Sequence, residues 1–367
     1  MNIPQMEPNF GEEESEAVYE YMKEGGWVTE FKKSQEFEKM ICDYTGAKFC
    51  HLVSNGTISL SLALMAVGVK PGDKVIVPNL TMIATPNAVK FIGAEPIFAD
   101  VEGKTLTLSM KEVKNICKKE KIKAVIHVSL NTRVGDLIHI RDFCEKKGIF
   151  LIEDSAQSLG SFYKEKHIGT FGDIGSFSFS SPKIISTGQG GALITNSEVF
   201  SEKIRRLKDF GRDSGGSDSH PFFGINCKFT DLQAVIGIEQ MKKLEGRVDK
   251  MKSTWNRYHH KLSEKVFMFQ TNEPRWIPWF VDIYLPSEQV RDNLMEYLKT
   301  KGIGTRKVYP AINKQKIYEI PNGEDIFPVS NSWAPKGLWL PSSSKLTNED
   351  IDRVCDEIIN FFTLLND

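Results

Sequence analysis

Between about residues 50 and 195 the chain alternates short apolar β-rich runs with longer stretches of helical periodicity. That rhythm predicts strands at 74–77, 96–99, 124–128, 150–152, 175–179 and 192–194, with helices at 57–67, 83–91, 110–120 and 137–147. Strands alternating with helices of this length make βαβ units around a largely parallel sheet. Two longer amphipathic helices are expected next, over 197–210 and 230–247. After about Lys250 the pattern changes at Pro274, Trp276, Pro278 and Trp279. A further β–α unit (279–285, then 287–301) and a C-terminal helix (347–364) follow. The expected class is therefore α/β. Residues 1–250 carry an N-terminal arm and a large domain with a mostly parallel central sheet, and 251–367 form a smaller C-terminal α/β domain. A chain of 367 residues exceeds one ordinary core, which suits that division.

Composition excludes several functions. Net charge is −1 and no basic run stands out, which argues against a nucleic-acid partner. Six cysteines lie scattered without CxxC spacing, so reduced thiols in a cytoplasmic protein are expected rather than disulfides or a metal site. No apolar stretch reaches the ~20 residues of a membrane span, and Met1 to Pro8 lacks the charged start and apolar middle of a signal peptide.

Chemistry concentrates at two points. Glu153-Asp154-Ser155-Ala156-Gln157 ends an apolar strand, and Lys183 follows in the small, polar turn Ser180-Ser181-Pro182-Lys183. In an open α/β sheet ligands gather at the carboxyl ends of strands. A carboxylate there can keep a pyridine nitrogen protonated while a lysine forms a Schiff base, which is what pyridoxal phosphate requires of a protein. Asp154 would also serve as a helix N-cap, and Lys183 as a surface lysine. Gln157 is placed to meet the ring hydroxyl. Ser54-Asn55-Gly56-Thr57 opens a helix after a strand-like run, where N–H groups and hydroxyls suit a phosphate, or simply cap the helix. Ser178 adds a hydroxyl from another strand. Thr187-Gly188-Gln189-Gly190-Gly191 allows close backbone approach, or a turn. No GxGxxG follows the first strand, which disfavours a dinucleotide-binding dehydrogenase.

In order and spacing these motifs, with Gly26-Trp27-Val28-Thr29, Gly172-Asp173-Ile174-Gly175 and Asn226-Cys227-Lys228-Phe229-Thr230-Asp231, resemble those of the DegT/DnrJ/EryC/StrS nucleotide-sugar aminotransferases over nearly the whole length. The similarity looks nearest to the perosamine-synthase-like branch. The resemblance implies a fold type I pyridoxal-phosphate enzyme with Lys183 as the Schiff-base lysine, Asp154 on the ring nitrogen and Gln157 on the ring hydroxyl. It implies Gly56, Thr57 and Ser178 at the phosphate, and Asn226 reaching that phosphate from a neighbouring subunit of a homodimer with shared sites. Met82 stands where relatives carry a stacking aromatic residue. Asn131 and Thr132 fall in a stretch usually reading His-Leu-Tyr-Gly, Gln189 replaces a glutamate, and Asn313 stands where a histidine is common. Trp27, Val28 and Thr29 are expected near the sugar, although Trp27 would equally anchor the arm. Arg306, Lys307 and Tyr309 are expected to meet a diphosphate or the donor carboxylate.

The function so implied is transfer of an amino group from L-glutamate to C4 of a nucleotide-linked 4-keto-6-deoxyhexose. The rivals are another reaction on the same cofactor, amination at C3 or transfer to a non-sugar ketone, and a catalytically idle binding or regulatory protein of the same fold. A lysine at 183, rather than the histidine of a dehydratase branch, favours transamination.

Overall fold

The computed structural model describes residues 2–270 and 273–366. Its centre is a sheet of seven strands. These are β1 (Phe49–Val53), β2 (Lys74–Pro78), β3 (Glu95–Ala99), β4 (Ile122–Val128) and β5 (Phe150–Asp154), then, past a two-stranded hairpin of β6 (Phe162–Tyr163) and β7 (Lys166–His167), β8 (Ile174–Ser178) and β9 (Gly191–Thr195). The order across the sheet is β1-β9-β8-β5-β4-β2-β3. From β3 to β8 every neighbouring pair is parallel, and β9 runs antiparallel to both β8 and β1. Helices cover both faces, so the inner strands read as unbroken apolar runs rather than alternating ones.

The helices of this part are α1 (Glu12–Lys23), α2 (Lys32–Thr45), α3 (Gly56–Ala66), α4 (Ala84–Phe91), α5 (Met110–Cys117), α6 (Leu137–Lys147), α7 (Glu198–Lys208), α8 (Asp231–Lys242) and α9 (Leu244–Leu262). α3 is buried on nearly every side and packs against β8 and β9. Its start is capped by the Asn55 side chain, which accepts from the Ile58 N–H at 2.9 Å. The single helix expected over 230–247 is two. α8 stops at Lys243, whose N–H turns back to Gln240 and Met241, and α9 then runs straight through residue 250. The first 30 residues, expected as an arm with no core of its own, hold one helix, α1. Its only buried residue is Glu14, and Ile3 pairs with Ile303.

Beyond α9 come β10 (Asp282–Tyr284), α10 (Glu288–Thr300), β11 (Arg306–Lys307), α11 (Gly323–Ile326), α12 (Pro328–Trp333), β12 (Gly337–Trp339) and α13 (Asn348–Asn366). β10, β12 and β11 form an antiparallel sheet, which with α9, α10 and α13 closes a second apolar cluster around Leu262, Ile283, Leu298, Val354 and Ile358. The strand expected over 279–285 is shorter because Trp279 and Phe280 stack into the main core instead, 3.9 Å between ring centroids.

Candidate active site

A pocket of about 330 Å³ opens at the carboxyl ends of β4, β5 and β8 and gathers most of the expected residues. Asn55, Gly56, Thr57, Met82, Asp154, Gln157, Ser178, Lys183, Arg306 and Tyr309 all line it. The strands bring them there because each β–loop junction of a parallel sheet ends on the same edge.

Asp154 is the last residue of β5 and is 7% exposed. The Thr85 hydroxyl, from α4, donates to its Oδ2 at 2.8 Å, and the Ala156 N–H donates to Oδ1 at 3.3 Å. Burial pushes the carboxyl above its usual range, while Thr85, Ala156 and the charge of Lys183 pull it back. Its neighbour Glu153 points the other way, into the layer beneath the sheet. There it accepts the N–H groups of Gly169, Phe171 and Gly172 at 2.9, 2.6 and 2.6 Å and so fixes the loop ahead of β8.

Lys183 keeps part of its stem open to the pocket, but its amine lies deep. Burial brings the amine down to about 8, with Asp154 opposing and Arg306 reinforcing that shift. The amine rests 4.0 Å from the centroid of the Trp279 ring. Gln157 accepts the Asn131 N–H at 2.6 Å, which fixes its amide at the pocket wall. Asn131 and Thr132 both hold positive φ, at 49° and 65°, where L side chains are strained. They are kept there by bonds to Phe280 and Ile277. Burial also raises the Tyr309 phenol, with Arg306 and Gln157 acting against it.

The floor is shaped for close backbone approach. A Cβ on Gly56 would stand 2.9 Å from the Ser178 Cβ, and one on Gly191 would stand 2.6 Å from the Asn55 carbonyl carbon. Larger residues at either position would fill this cradle. The N–H groups of Gly56 and Thr57 belong to the first turn of α3, which leaves them without acceptors inside the helix. Those N–H groups, the Thr57 and Ser178 hydroxyls, a buried carboxylate and a depressed lysine amine are the groups that pyridoxal phosphate needs, and the residues present fit it.

Other expected residues stand elsewhere. Trp27 and Thr29 line a separate pocket of about 770 Å³ with Glu30, Arg205, Lys208, Arg212 and Lys228, and Val28 is exposed beside it. Asn226 is exposed, next to Lys228, and does not line the Lys183 pocket. Lys307 turns away from Arg306 and pairs with Asp292 at 2.8 Å. Asn313 is buried against Asn79, and the bonds between the two, at 2.7 and 3.0 Å, staple the Tyr309 segment to the end of β2. Its short amide serves that staple rather than the pocket. Two residues that the sequence reading passed over stand in or against the site: Thr85 and Trp279. Trp279 was read only as a break in pattern, and nothing in the pattern of α4 distinguishes Thr85.

Among the described residues no three His, Cys, Asp or Glu side chains cluster as metal ligands, and no helix is long and apolar enough to cross a membrane. A mostly parallel sheet with this lysine, this strand-end acid and this helix start is the setting of a pyridoxal-phosphate-dependent enzyme. The comparisons with known proteins agree. The family model of the DegT/DnrJ/EryC1/StrS aminotransferase family matches residues 8–359. A GDP-perosamine synthase of Vibrio cholerae is 33% identical, over 99% of this chain and 100% of that protein. The GDP-perosamine synthase of Caulobacter vibrioides is 32% identical over 87% of each. The aminotransferase TlmJ from Streptoalloteichus hindustanus superposes with a TM-score of 0.91 at 27% identity, covering 100% of both chains. The chain belongs to the DegT/DnrJ/EryC1/StrS family and is a perosamine-synthase-like sugar aminotransferase.

Proposed function

We propose that the protein transfers the amino group of L-glutamate to C4 of a nucleotide-linked 4-keto-6-deoxyhexose, giving a 4-amino-4,6-dideoxy sugar. The observation that carries the reading is the pairing, in one buried pocket, of a depressed lysine amine with a strand-end carboxylate. The names of the relatives support perosamine chemistry and favour guanosine diphosphate as the carrier.

Lys183 would hold the cofactor aldehyde covalently, Asp154 the ring nitrogen and Gln157 the ring hydroxyl. Gly56, Thr57 and Ser178 would hold the phosphate, and Met82, 43% exposed at the mouth, would cover one ring face. When bound, pyridoxal phosphate supplies a carbonyl that takes up the amino group and a pyridinium ring that spreads the electron pair left when a substrate carbon loses its proton. Asp154 would keep that ring protonated. Lys183 would move a proton between the two carbons flanking the substrate nitrogen, a task suited to an amine brought down to about 8 by burial. Arg306 and Tyr309 stand at the rim, where a guanidinium suits a carboxylate or a diphosphate.

Asn226 and Trp27 would complete the site from a second copy, making the enzyme a homodimer with shared active sites. The division at residue 250 into a large and a small domain, and a cytoplasmic location, belong to the same reading. Glutamate and a panel of GDP-, UDP- and dTDP-linked 3- and 4-keto sugars, with products read by mass and NMR, test it. Amination at C3 would favour the first rival reading. A colourless protein that pyridoxal phosphate cannot restore would favour an idle binding protein.

A further inference from the structure

Trp279 makes two contacts with the lysine segment. Its ring lies beneath the amine, Nζ to centroid 4.0 Å, and its indole N–H donates to the Pro182 carbonyl at 2.8 Å. The charged end of Lys183 and the backbone just before it therefore rest on one side chain.

That side chain is held firmly. It is 7% exposed, Phe280 stacks on it at 23° between planes, and Trp339 meets it edge-on at 5.5 Å. Phe280 is bound in both directions by Asn131, its N–H to Oδ1 at 3.0 Å and its carbonyl from Nδ2 at 2.9 Å. The same Asn131 gives its N–H to Gln157. One rigid unit thus runs from Gln157 through Asn131 and Phe280 to Trp279 and Lys183. It explains why two consecutive non-glycine residues tolerate positive φ at 131 and 132.

We propose that Trp279 is a positioning residue for Lys183, its π face holding the ammonium of the unbound lysine and its N–H fixing the turn that aims it. The proposal rests on the reading of Lys183 as the amine that carries the cofactor and moves the proton. In that transfer the neutral amine takes a proton from one substrate carbon and returns it to the carbon across the nitrogen, so protons balance over the step. The cationic form exists between the two events. An aromatic face attracts a cation, so Trp279 favours that form against the burial that disfavours it.

The test uses the full-length protein. After the cofactor is removed as its oxime, Lys183 is acetylated across a pH series and the labelled peptide quantified. Trp279→Leu lacks both face and donor, and its labelling midpoint should fall by about half to one pH unit. Global replacement of tryptophan by trifluorotryptophan keeps shape and donor but weakens the π face. The midpoint should fall there too, and the same replacement in a Trp279→Phe background should leave it unmoved. In the holoenzyme, Trp279→Leu should lower kcat by roughly tenfold with the sugar KM unchanged.

A midpoint unmoved in both the leucine and fluorinated proteins overturns the proposal. So does a raised KM at unchanged kcat, which would make Trp279 a sugar contact. Borohydride trapping with peptide mapping keeps the two readings apart. A label missing from Lys183 in the unsubstituted holoenzyme removes the underlying reading, whereas a label at Lys183 with an unmoved midpoint removes only the role of Trp279.

Discussion

The pocket around Lys183 and the face around Trp27 differ in how they are finished. In the first, three key groups are answered within the chain: Asp154 by Thr85, Gln157 by Asn131, the lysine turn by Trp279. In the second, Trp27 is 64% exposed and Phe31 is 47% exposed, in a pocket rimmed by Arg205, Arg212 and Lys228. The backbone there is nonetheless tightly fixed. Asp231 accepts the N–H groups of Phe31, Lys33 and Ser34 at 2.7 to 2.9 Å and the Tyr21 hydroxyl at 3.0 Å, and Tyr21 also donates to the Trp27 carbonyl. The arm is thus held in place with its aromatic ring left outward. The contrast teaches that the residues gathered around Lys183 are fixed by their own chain, while Trp27, Thr29 and Asn226 stand apart from that pocket.

The largest effect tests whether that division is real. Lys183→Ala should lower turnover by roughly 10⁴-fold or more and abolish borohydride trapping. Asn226→Ala should retain Lys183 but hold the cofactor less tightly. Mixed and refolded together at limiting cofactor, the two variants should recover roughly a quarter of wild-type activity, because a hybrid dimer contains one intact shared site. No recovery would mean that Asn226 serves its own chain and would break the comparison. Next in size is Asp154→Asn, which should cost on the order of 10²–10⁴-fold in kcat. Its thermal midpoint should stay close to wild type, since the amide oxygen can still accept from Ala156. A large fall in that midpoint would make Asp154 a structural cap instead.

The parts of this arrangement that were legible in the sequence are those set by local chemistry. A carboxylate ending a buried strand, a lysine in a small polar turn and a capped helix start each announce themselves within a few residues. What was not legible depends on partners far apart in the chain. Asn313 lies 234 residues from Asn79, so its inward turn follows from tertiary packing alone. Trp279 interrupts a pattern, and only the fold shows that the interruption lies under Lys183. The helical register of α9 carries no mark at residue 250, because a helix crosses between two apolar clusters whenever its buried stripe can serve both. α1 buries a single residue, the acid Glu14, so no apolar core face marks it in the sequence.

A smaller effect separates the two readings of Trp27. If the ring meets the sugar of a neighbouring subunit, Trp27→Ala should raise the sugar KM by about tenfold, leaving kcat and the thermal midpoint near wild type. If the ring anchors the arm, the thermal midpoint falls and KM holds. The exposure of the ring and the fixing of its backbone by Tyr21, itself bound to Asp231, favour the first outcome.

The smallest effect sharpens the account of the Lys183 pocket itself. Thr85 donates to the Asp154 carboxylate and thereby favours its ionised form. Thr85→Val removes that bond with little change of shape, so the carboxyl, already raised by burial, should rise further by about half to one pH unit. Because the ionised form is the one that serves the ring nitrogen, the acidic limb of the kcat/KM profile should move to higher pH by the same amount. Stability follows the same sign. A carboxyl raised in the folded state ionises first in the unfolded chain, so its contribution is full in acid and is lost as pH rises through the folded-state value. The variant should therefore be about 1 kcal/mol less stable than wild type at neutral pH and equal to it in acid, where both forms are protonated. Urea titrations of the cofactor-free protein at several pH values measure this. An acidic limb that moves toward lower pH, or a stability deficit that persists unchanged in acid, would show that Thr85 acts through packing and not through the charge of Asp154.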